Sequence, residues 1–541
     1  MAEFNETKTP DMHDTWDGPG LPPAVKKVFV AMIAGLAVVA IPYLVTAALP
    51  KSEVRDEIAE FRVWTEDNII PFSKHFSTVG TGPKTAVAGN EGGGASILED
   101  AASDVGAEVD KLVTAIEITP PPVEVVEPVE APDPTHPIEV KPPPKPVSPY
   151  LAIKILEAVY KDITVFIEDP HKSLDGFYQA LGDVALKKPG ATVHLSHWGD
   201  SANAADGMPS AVRRLLQRTF GDGGHGYSMV SASTPWYRRK DIEWTSKNWR
   251  TEEFIRDQAA DGHYGYGGVV SEGSPGAKAS WKTVEEGVGT AASRFTIYFQ
   301  KHKRGGTLQV NIDGVEAKSI ETATEGDLEE HSETIKVPDG PHTFEIRNSG
   351  GGRLRVYGVA VERSEGVVYD GMGVVGARDT RWLNANAEGM AWALKARDPD
   401  LYILMYGGNA LEDKTTMSWY RERLVEVIKL WRTAIPGKSC LIMSPIDHGE
   451  RYRGKVRTVE RQVEMMAVQR EVALQEGCAF FSIYDAMGGQ GAIGRWFDEG
   501  LASGDLAHPT AKGSVELGRL FYQAIMKGLH DWVATQKDAQ P

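Results

Sequence analysis

Cysteine is almost missing from this chain: two among 541 residues, Cys440 and Cys478. No CxxC pair and no HExxH helix signature occurs, which removes the usual zinc frameworks, and neither a metal nor any other cofactor is expected. Each cysteine sits in an apolar, strand-like run (SCLIMSP and GCAFFSIY), which favours two buried free thiols over a disulfide. An excess of positive charge is missing too. The formal net charge of −17 argues against nucleic acid or anionic lipid as the main partner and fits an ordinary acidic surface. No GxSxG occurs, so the nucleophile elbow of the α/β-hydrolases is not the template. No internal repeat is apparent, and at this length two or three domains with linkers are expected.

Long apolar runs are also scarce, with one exception. Residues 28–49, VFVAMIAGLAVVAIPYLVTAAL, carry no charge. At ~1.5 Å per residue they reach ~33 Å, enough to span a hydrocarbon core. Lys26 and Lys27 precede them, so residues 1–27 are expected to stay inside and the rest to be exported. The competing reading is secretion after cleavage of a signal peptide near Val45-Thr46-Ala47. Residues 50–118 read as a mixed, flexible stalk. Residues 119–149, TPPPVEVVEPVEAPDPTHPIEVKPPPKPVSP, are too rich in proline to build a core. They read as an extended spacer of up to ~95 Å at ~3.1 Å per residue.

Folded structure is expected from about 150. YLAIKILEAVYKDITVFIED and LDGFYQALGDVAL have helical spacing and lead into the strand ATVHLSH. Between 228 and 365 the pattern changes to short alternating strands: SRFTIYFQ, GTLQVNID, AKSIETA, HSETIKV, HTFEIRNS and RLRVYGVAVER. Asp313-Gly314 and Asp339-Gly340 read as turns between them, and the whole as an inserted β-sandwich. From 366 to 541, strands (LYILMYG, SCLIMSP, CAFFSIY) alternate with long helical segments, which together with residues 150–227 predicts a parallel sheet covered by helices.

Four short stretches carry the chemistry. HLSHWGDSANAADG ends a strand at Gly199-Asp200-Ser201 and turns into a helix near Pro209. A serine on such a junction lies beside backbone N–H groups that favour developing negative charge. Asp200 reads as a residue bonding that turn's backbone, and His197 and Trp198 as packing beneath it. VVYDGMGVVGAR offers Gly373 and Gly376 as bare backbone donors. LYILMYGGNA ends at Gly407-Gly408-Asn409, whose side-chain amide suits an oxyanion. GDLAHPTAKG sets Asp505 three residues before His508, so one tight turn brings the carboxylate onto Nδ1 and leaves Nε2 for the serine. A second acid–histidine pair, Asp447-His448, consists of adjacent residues that point apart, and reads as a loop.

Together, GDS, the later glycine, GGN and DLAH resemble blocks I, II, III and V of the SGNH (GDSL-type) esterases and acylhydrolases. The resemblance covers roughly 185–230 and 366–530. It implies a three-layer α/β/α fold in which Ser201 is the nucleophile, His508 the general base and then acid, and Asp505 its orienting carboxylate. It also implies an oxyanion hole of the Ser201 N–H, the Gly376 N–H and the Asn409 amide, with Gly373 as a competitor for Gly376. Ala202 stands where block I often has leucine, which weakens a lipase reading. An inserted β unit resembles peptidoglycan O-acetylesterases. On that likeness the chain is expected to be a membrane-anchored, exported serine esterase that removes O-acetyl groups from peptidoglycan or another envelope polysaccharide. An O-acetyltransferase using the same triad and a non-catalytic envelope-binding scaffold are the alternatives. The insert's aromatics (Trp236, Tyr237, Trp244, Trp249, Tyr264, Tyr266) suit sugar stacking, but core packing is the commoner fate of such rings.

Overall fold

The structure, a computed structural model, describes residues 116–119, 147–256 and 258–537. The tail 1–27, the apolar run 28–49 and nearly all of the stalk and Pro-rich linker lie outside these residues. Among the described residues no helix is long and apolar enough to cross a membrane.

The first described segment corrects an expectation. Residues 150–169 do not form a helix. Ile116–Ile118 (β1) pairs antiparallel with Ile153–Ile155 (β2), flanked by short 3-10 turns at Pro149–Ala152 and Glu157–Val159. Ile153 and Ile155 alternate with Lys154, a period of two that the neighbouring apolar residues disguise. Further on, Glu168 exchanges both backbone hydrogen bonds with Phe480 at 2.8 and 2.9 Å. The segment therefore meets an edge strand of the main sheet that would otherwise offer unpaired N–H and C=O groups.

After helix α1 (Asp175–Ala185) comes β3 (Thr192–Gly199), then α2 (Ser201–Ala204) and α3 (Gly207–Phe220). The chain next leaves for an antiparallel unit of nine strands: β4 (Gly226–Met229), β5 (Glu243–Glu253), β6 (Val269–Lys282), β7 (Ala292–Lys301), β8 (Gly306–Ile312), β9 (Val315–Glu321), β10 (Glu329–Gly340), β11 (Thr343–Gly351) and β12 (Leu354–Glu362). It returns as β13 (Gly366–Gly373), α4 (Ala387–Arg397), β14 (Leu401–Met405), α5 (Met417–Ala434) and β15 (Ser439–Met443). A hairpin, β16 (Gly449–Tyr452) and β17 (Lys455–Thr458), precedes α6 (Glu460–Gln475), β18 (Ala479–Phe481), α7 (Ile483–Ala486), α8 (Ala492–Asp498) and α9 (Ala511–Thr535).

The main sheet is parallel throughout, in the order β13-β3-β14-β15-β18. Alternate side chains enter two separate cores. Val193, Leu195, Ile403, Leu441 and Phe481 pack with α1, α3 and α9, while Trp198, Tyr402, Leu404, Ile442 and Phe480 pack with α4, α5 and α6. Both faces are covered, which is why these strands read as unbroken apolar runs. The layers are helix, sheet and helix, as expected.

Cys440 and Cys478 are joined, which corrects the expectation of free thiols. Leu441 pairs with Ala479 in adjacent parallel strands, so the residues just before them are neighbours, with Cα atoms 4.8 Å apart. A whole helix separates them in sequence and hides that adjacency.

The antiparallel unit has two layers, β10-β7-β12-β4 and β9-β8-β11-β6-β5, and the first half of β6 also pairs with β12. Phe295 of one layer stacks on Phe344 of the other, with centroids 4.7 Å apart. Two long strands, β5 and β6, escape sequence patterning because EWTSKNWRTEE is polar and β6 contains Pro275 and five glycine or serine residues. Asp313-Gly314 forms a two-residue turn with both φ positive, at 53° and 82°. Asp339-Gly340 instead closes β10.

The unit is bolted to the main sheet through buried charge. Arg397 of α4 donates to both oxygens of Asp370 in β13, at 2.7 and 2.8 Å, and to Glu362 in β12 at 2.5 Å. Arg294 of β7 takes the other Glu362 oxygen. Burial alone would raise the Glu362 carboxyl, but Arg397, His194 and Arg294 hold it down at about 2. A pKa depressed on folding stabilises the protein above the ordinary glutamate value of about 4.5. That contribution, roughly 3 kcal/mol, is lost as the pH falls towards 2. Arg397→Leu is expected to leave Asp370 without a cation and Glu362 with Arg294 as its remaining guanidinium, and to cost about 3–5 kcal/mol. Denaturant titrations should show that loss at pH 7 and a weaker dependence of stability on pH between 4.5 and 2.

Candidate functional site

Ser201, Asn409 and His448 stand at or just beyond the carboxyl ends of β3, β14 and β15, three adjacent strands. The chain order reverses at β3, since β13 lies on one side of it and β14 on the other, and open α/β sheets form their crevices at such points.

Ser201 is the first residue of α2, and Asp200 caps that turn by accepting from the Ala202 N–H at 3.1 Å. Gly199 ends β3 against Asn203 and the Met405 carbonyl. His197 and Trp198 lie buried behind the turn as expected. His197 bonds the Tyr369 hydroxyl at 2.9 Å and burial pushes its pKa down to about 3. The Trp198 indole donates to the Tyr266 carbonyl at 2.8 Å, tying the inserted unit to the strand that carries the serine.

His508 reaches Ser201 from 307 positions away, with Nε2 2.8 Å from Oγ. The DLAH spacing explains how. Asp505 Oδ1 accepts the backbone N–H groups of Ala507 and His508, which folds the loop into an aspartate-closed turn. Its other oxygen, Oδ2, meets His508 Nδ1 at 2.8 Å. Partial burial would raise the Asp505 pKa, but the Ala507 N–H and then His508 pull it below the usual carboxylate range. The carboxylate therefore stays charged, and Nδ1, whose partner is an anion, carries the proton. Nε2 is left as an acceptor for the serine hydroxyl. A hydroxyl bonded to an imidazole that is bonded to a carboxylate can lose its proton as it attacks a carbonyl.

The expected oxyanion donors are placed less uniformly. Asn409 lines the same cavity as Ser201 and His508, but its two amide hydrogens go to Asp200 Oδ2 at 3.1 Å and the Ala377 carbonyl at 3.2 Å. The amide is therefore rigidly oriented, and an oxyanion would share or displace one of these acceptors. Gly376 sits on the turn after β13 at φ 83°, with its carbonyl accepting from Arg378. Gly373, its competitor, is the last residue of β13. It packs under α2, where a Cβ would come within 2.3 Å of the Ala204 nitrogen.

His448 is the residue that sequence reasoning missed. Asp447 does point away, accepting the Ile493 N–H at 2.8 Å, as expected of adjacent residues. His448 turns into the cavity, which measures about 130 Å³ and is walled by Met405, Pro445 and Ile446. Its Nδ1 lies 2.9 Å from the Ile446 carbonyl, which can only accept, so Nδ1 carries a proton. Its Nε2 packs so close to Gly408 that a Cβ there would lie 2.6 Å away. The available signal was its place beyond the end of a third parallel strand. Burial pushes the Asp200 carboxyl up, against the pull of the Ala202 N–H and of His448 and His508.

Of the insert's aromatics, Tyr237, Tyr264 and Tyr266 are buried, whereas Trp236 is 53% exposed.

Residues 343–514 match the family model of the GDSL-like Lipase/Acylhydrolase family. The match begins within the inserted unit and takes in Asn409, Asp505 and His508, leaving Ser201 on the far side of the insertion. The structure is similar to a solved one described as "Peptidoglycan O-acetylesterase in action, 5 min", with 22% identity and a TM-score of 0.58 over 68% of this chain and 99% of that one. A family two carbohydrate esterase from Cellvibrio japonicus is 12% identical over 54% of this chain and 98% of that one, with a TM-score of 0.23. An acetylxylan esterase from Geobacillus stearothermophilus is 19% identical over 30% and 73%, also at 0.23. No protein of curated function matches the chain.

Asp505→Asn would leave the turn and its packing largely intact while removing the anion that fixes the imidazole. Turnover of 4-nitrophenyl acetate is expected to fall about 10²- to 10⁴-fold, with the thermal midpoint little changed.

Proposed function

We propose that this chain, a member of the GDSL-like lipase/acylhydrolase family, removes O-acetyl groups from a cell-envelope polysaccharide, peptidoglycan foremost, through an acyl-enzyme at Ser201. The observation that carries the reading is the unbroken hydrogen-bond chain from Ser201 through His508 to Asp505.

Ser201 Oγ attacks the acetyl carbonyl as its proton passes to His508 Nε2. Asp505 stabilises the imidazolium that results. Negative charge on the carbonyl oxygen falls to the Ser201 N–H, the Gly376 N–H and the Asn409 amide. Collapse breaks the ester bond, and the leaving sugar oxygen takes the proton back from His508. Water, deprotonated by His508, then attacks the acetyl-serine, and acetate leaves as the Ser201 oxygen takes that proton back from His508.

Several features support a small acyl group on an envelope glycan. The cavity beside Ser201 is small and partly apolar, which suits a methyl ketone-sized fragment better than a fatty chain. The disulfide between Cys440 and Cys478 is of the kind that persists in oxidising compartments outside the cytoplasm. The apolar run 28–49 and the Pro-rich spacer 119–149 would tether the catalytic part to the inner membrane and let it reach a polymer layer. The shared fold with a peptidoglycan O-acetylesterase agrees with this reading.

The test is acetate release from O-acetylated murein by the full chain, alongside 4-nitrophenyl acetate. Ser201→Ala is expected to lower both by at least about 10⁴-fold. Activity retained in that variant would remove the serine mechanism. Acetate appearing on an added acceptor glycan instead of in solution would reassign the same triad to transfer. Asn409→Ala is expected to cost about 10²- to 10³-fold in kcat, as loss of one oxyanion donor does.

A further inference from the structure

The hairpin β16–β17 carries a concentration of positive charge on an acidic chain. Residues 449–458, GERYRGKVRT, hold Arg451, Arg453, Lys455 and Arg457 against Glu450, a local net of 4 − 1 = +3 where the whole chain stands at −17. The pairs Glu450↔Arg457, Arg451↔Val456 and Tyr452↔Lys455 fix which residues share a face. Val456 packs inward on Gly449 and Gly494, so the face bearing Tyr452, Lys455 and Arg457 is the outer one. Arg453 stands at the tip of a two-residue turn, with φ 49° before Gly454 at 78°.

Some surface cations are neutralised, and Lys188, Lys282 and Lys318 each hold a carboxylate within 2.7 Å. Among the described residues, Arg451, Arg453 and Lys455 have no such partner, and Arg457 has Glu450. Three guanidiniums also lie over aromatic rings, Arg457 at 4.2 Å and Arg453 at 5.2 Å from the centroid of Tyr452, and Arg451 at 5.7 Å from that of Phe497. Beside them runs an open groove walled by Arg451, Lys455, Arg457, Arg495 and Phe497, with Asp498 on the same wall.

The hairpin is also coupled to the reacting groups. It follows directly on His448, which lines the Ser201 cavity. The Gly449 N–H donates to the carbonyl of Leu506, between Asp505 and His508, at 2.8 Å. A polymer lying along the hairpin would thus pass beside the catalytic turn.

We infer that residues 449–458 form a docking surface for a carboxylate-bearing polysaccharide, holding the acidic glycan while one of its esters enters the Ser201 cavity. This deepens the esterase reading and rests on it for the identity of the ester. Unpaired guanidinium and ammonium groups recognise carboxylates by charge-assisted hydrogen bonds, and exposed ones raise the local concentration of a polyanion in a salt-dependent way.

Binding is measured on the full-chain Ser201→Ala protein, which makes the result independent of turnover. Polygalacturonate serves as the acidic probe and dextran as the neutral one. Polygalacturonate is expected to bind more tightly, with an affinity that falls about tenfold on Arg453→Glu/Lys455→Glu and again on raising the salt. The milder Arg453→Gln/Lys455→Gln should fall between, with thermal midpoints showing that both variants fold. Equal binding of the two polymers, or an affinity indifferent to charge reversal, overturns the proposal. So does charge-dependent retention on phosphatidylglycerol vesicles without retention of polygalacturonate, which would assign the surface to lipid. Turnover of 4-nitrophenyl acetate on the Ser201-containing chain tests the esterase reading separately.

Discussion

The hydrogen bond between Ser201 Oγ and His508 Nε2 joins two parts of one domain that the sequence keeps far apart. It requires the carboxyl end of β3 and the loop ahead of α9 to be held in register to a fraction of an ångström, although nine antiparallel strands are spliced between them. Everything chemical in the site follows from that constraint. Asp505 has a role only if His508 is already turned towards the serine. The small cavity means something only if its floor carries a nucleophile.

The splice is tolerable because it is anchored at the sheet itself. Glu362 closes the inserted unit and Asp370 lies in the first strand after it, and Arg397 clamps both. The Tyr227 N–H donates to the same Asp370 at 2.7 Å, so the unit's first strand meets this carboxylate directly and its last strand, through Glu362, shares its Arg397. Trp198, one strand away and two residues before Asp200, bonds the insert's backbone directly. The inserted unit is therefore part of the wall behind the serine, and its exit delivers β13 beside β3 in parallel register. Buried charge of this kind is costly unless fully paired, and here the pairing doubles as an alignment device.

Much of this was legible in the residues. The GDS turn, the DLAH loop and the apolar strands around them each state a local geometry, and the parallel sheet follows from their alternation with helices. What escaped has physical reasons. The segment 150–169 looks helical because its apolar residues satisfy two periods at once, and pairing with β1 and with Phe480 settles the matter. The Cys440–Cys478 bond depends on neighbouring strands separated by a helix, a relation invisible in linear spacing. His448 reads as half of a poor dyad when paired with Asp447, whose side chain points away to the Ile493 N–H, whereas its position beyond β15 is what brings it into the cavity. The commitment of the Asn409 amide to Asp200 and Ala377 is a property of three-dimensional packing that no motif encodes.

The most direct measurement of the central claim is covalent labelling of the full chain with a fluorophosphonate, read by peptide mass mapping. A single adduct is expected on the serine of the GDS turn, Ser201, formed at a rate that collapses in His508→Ala. Labelling at another residue, or equal labelling with and without the imidazole, would contradict the account.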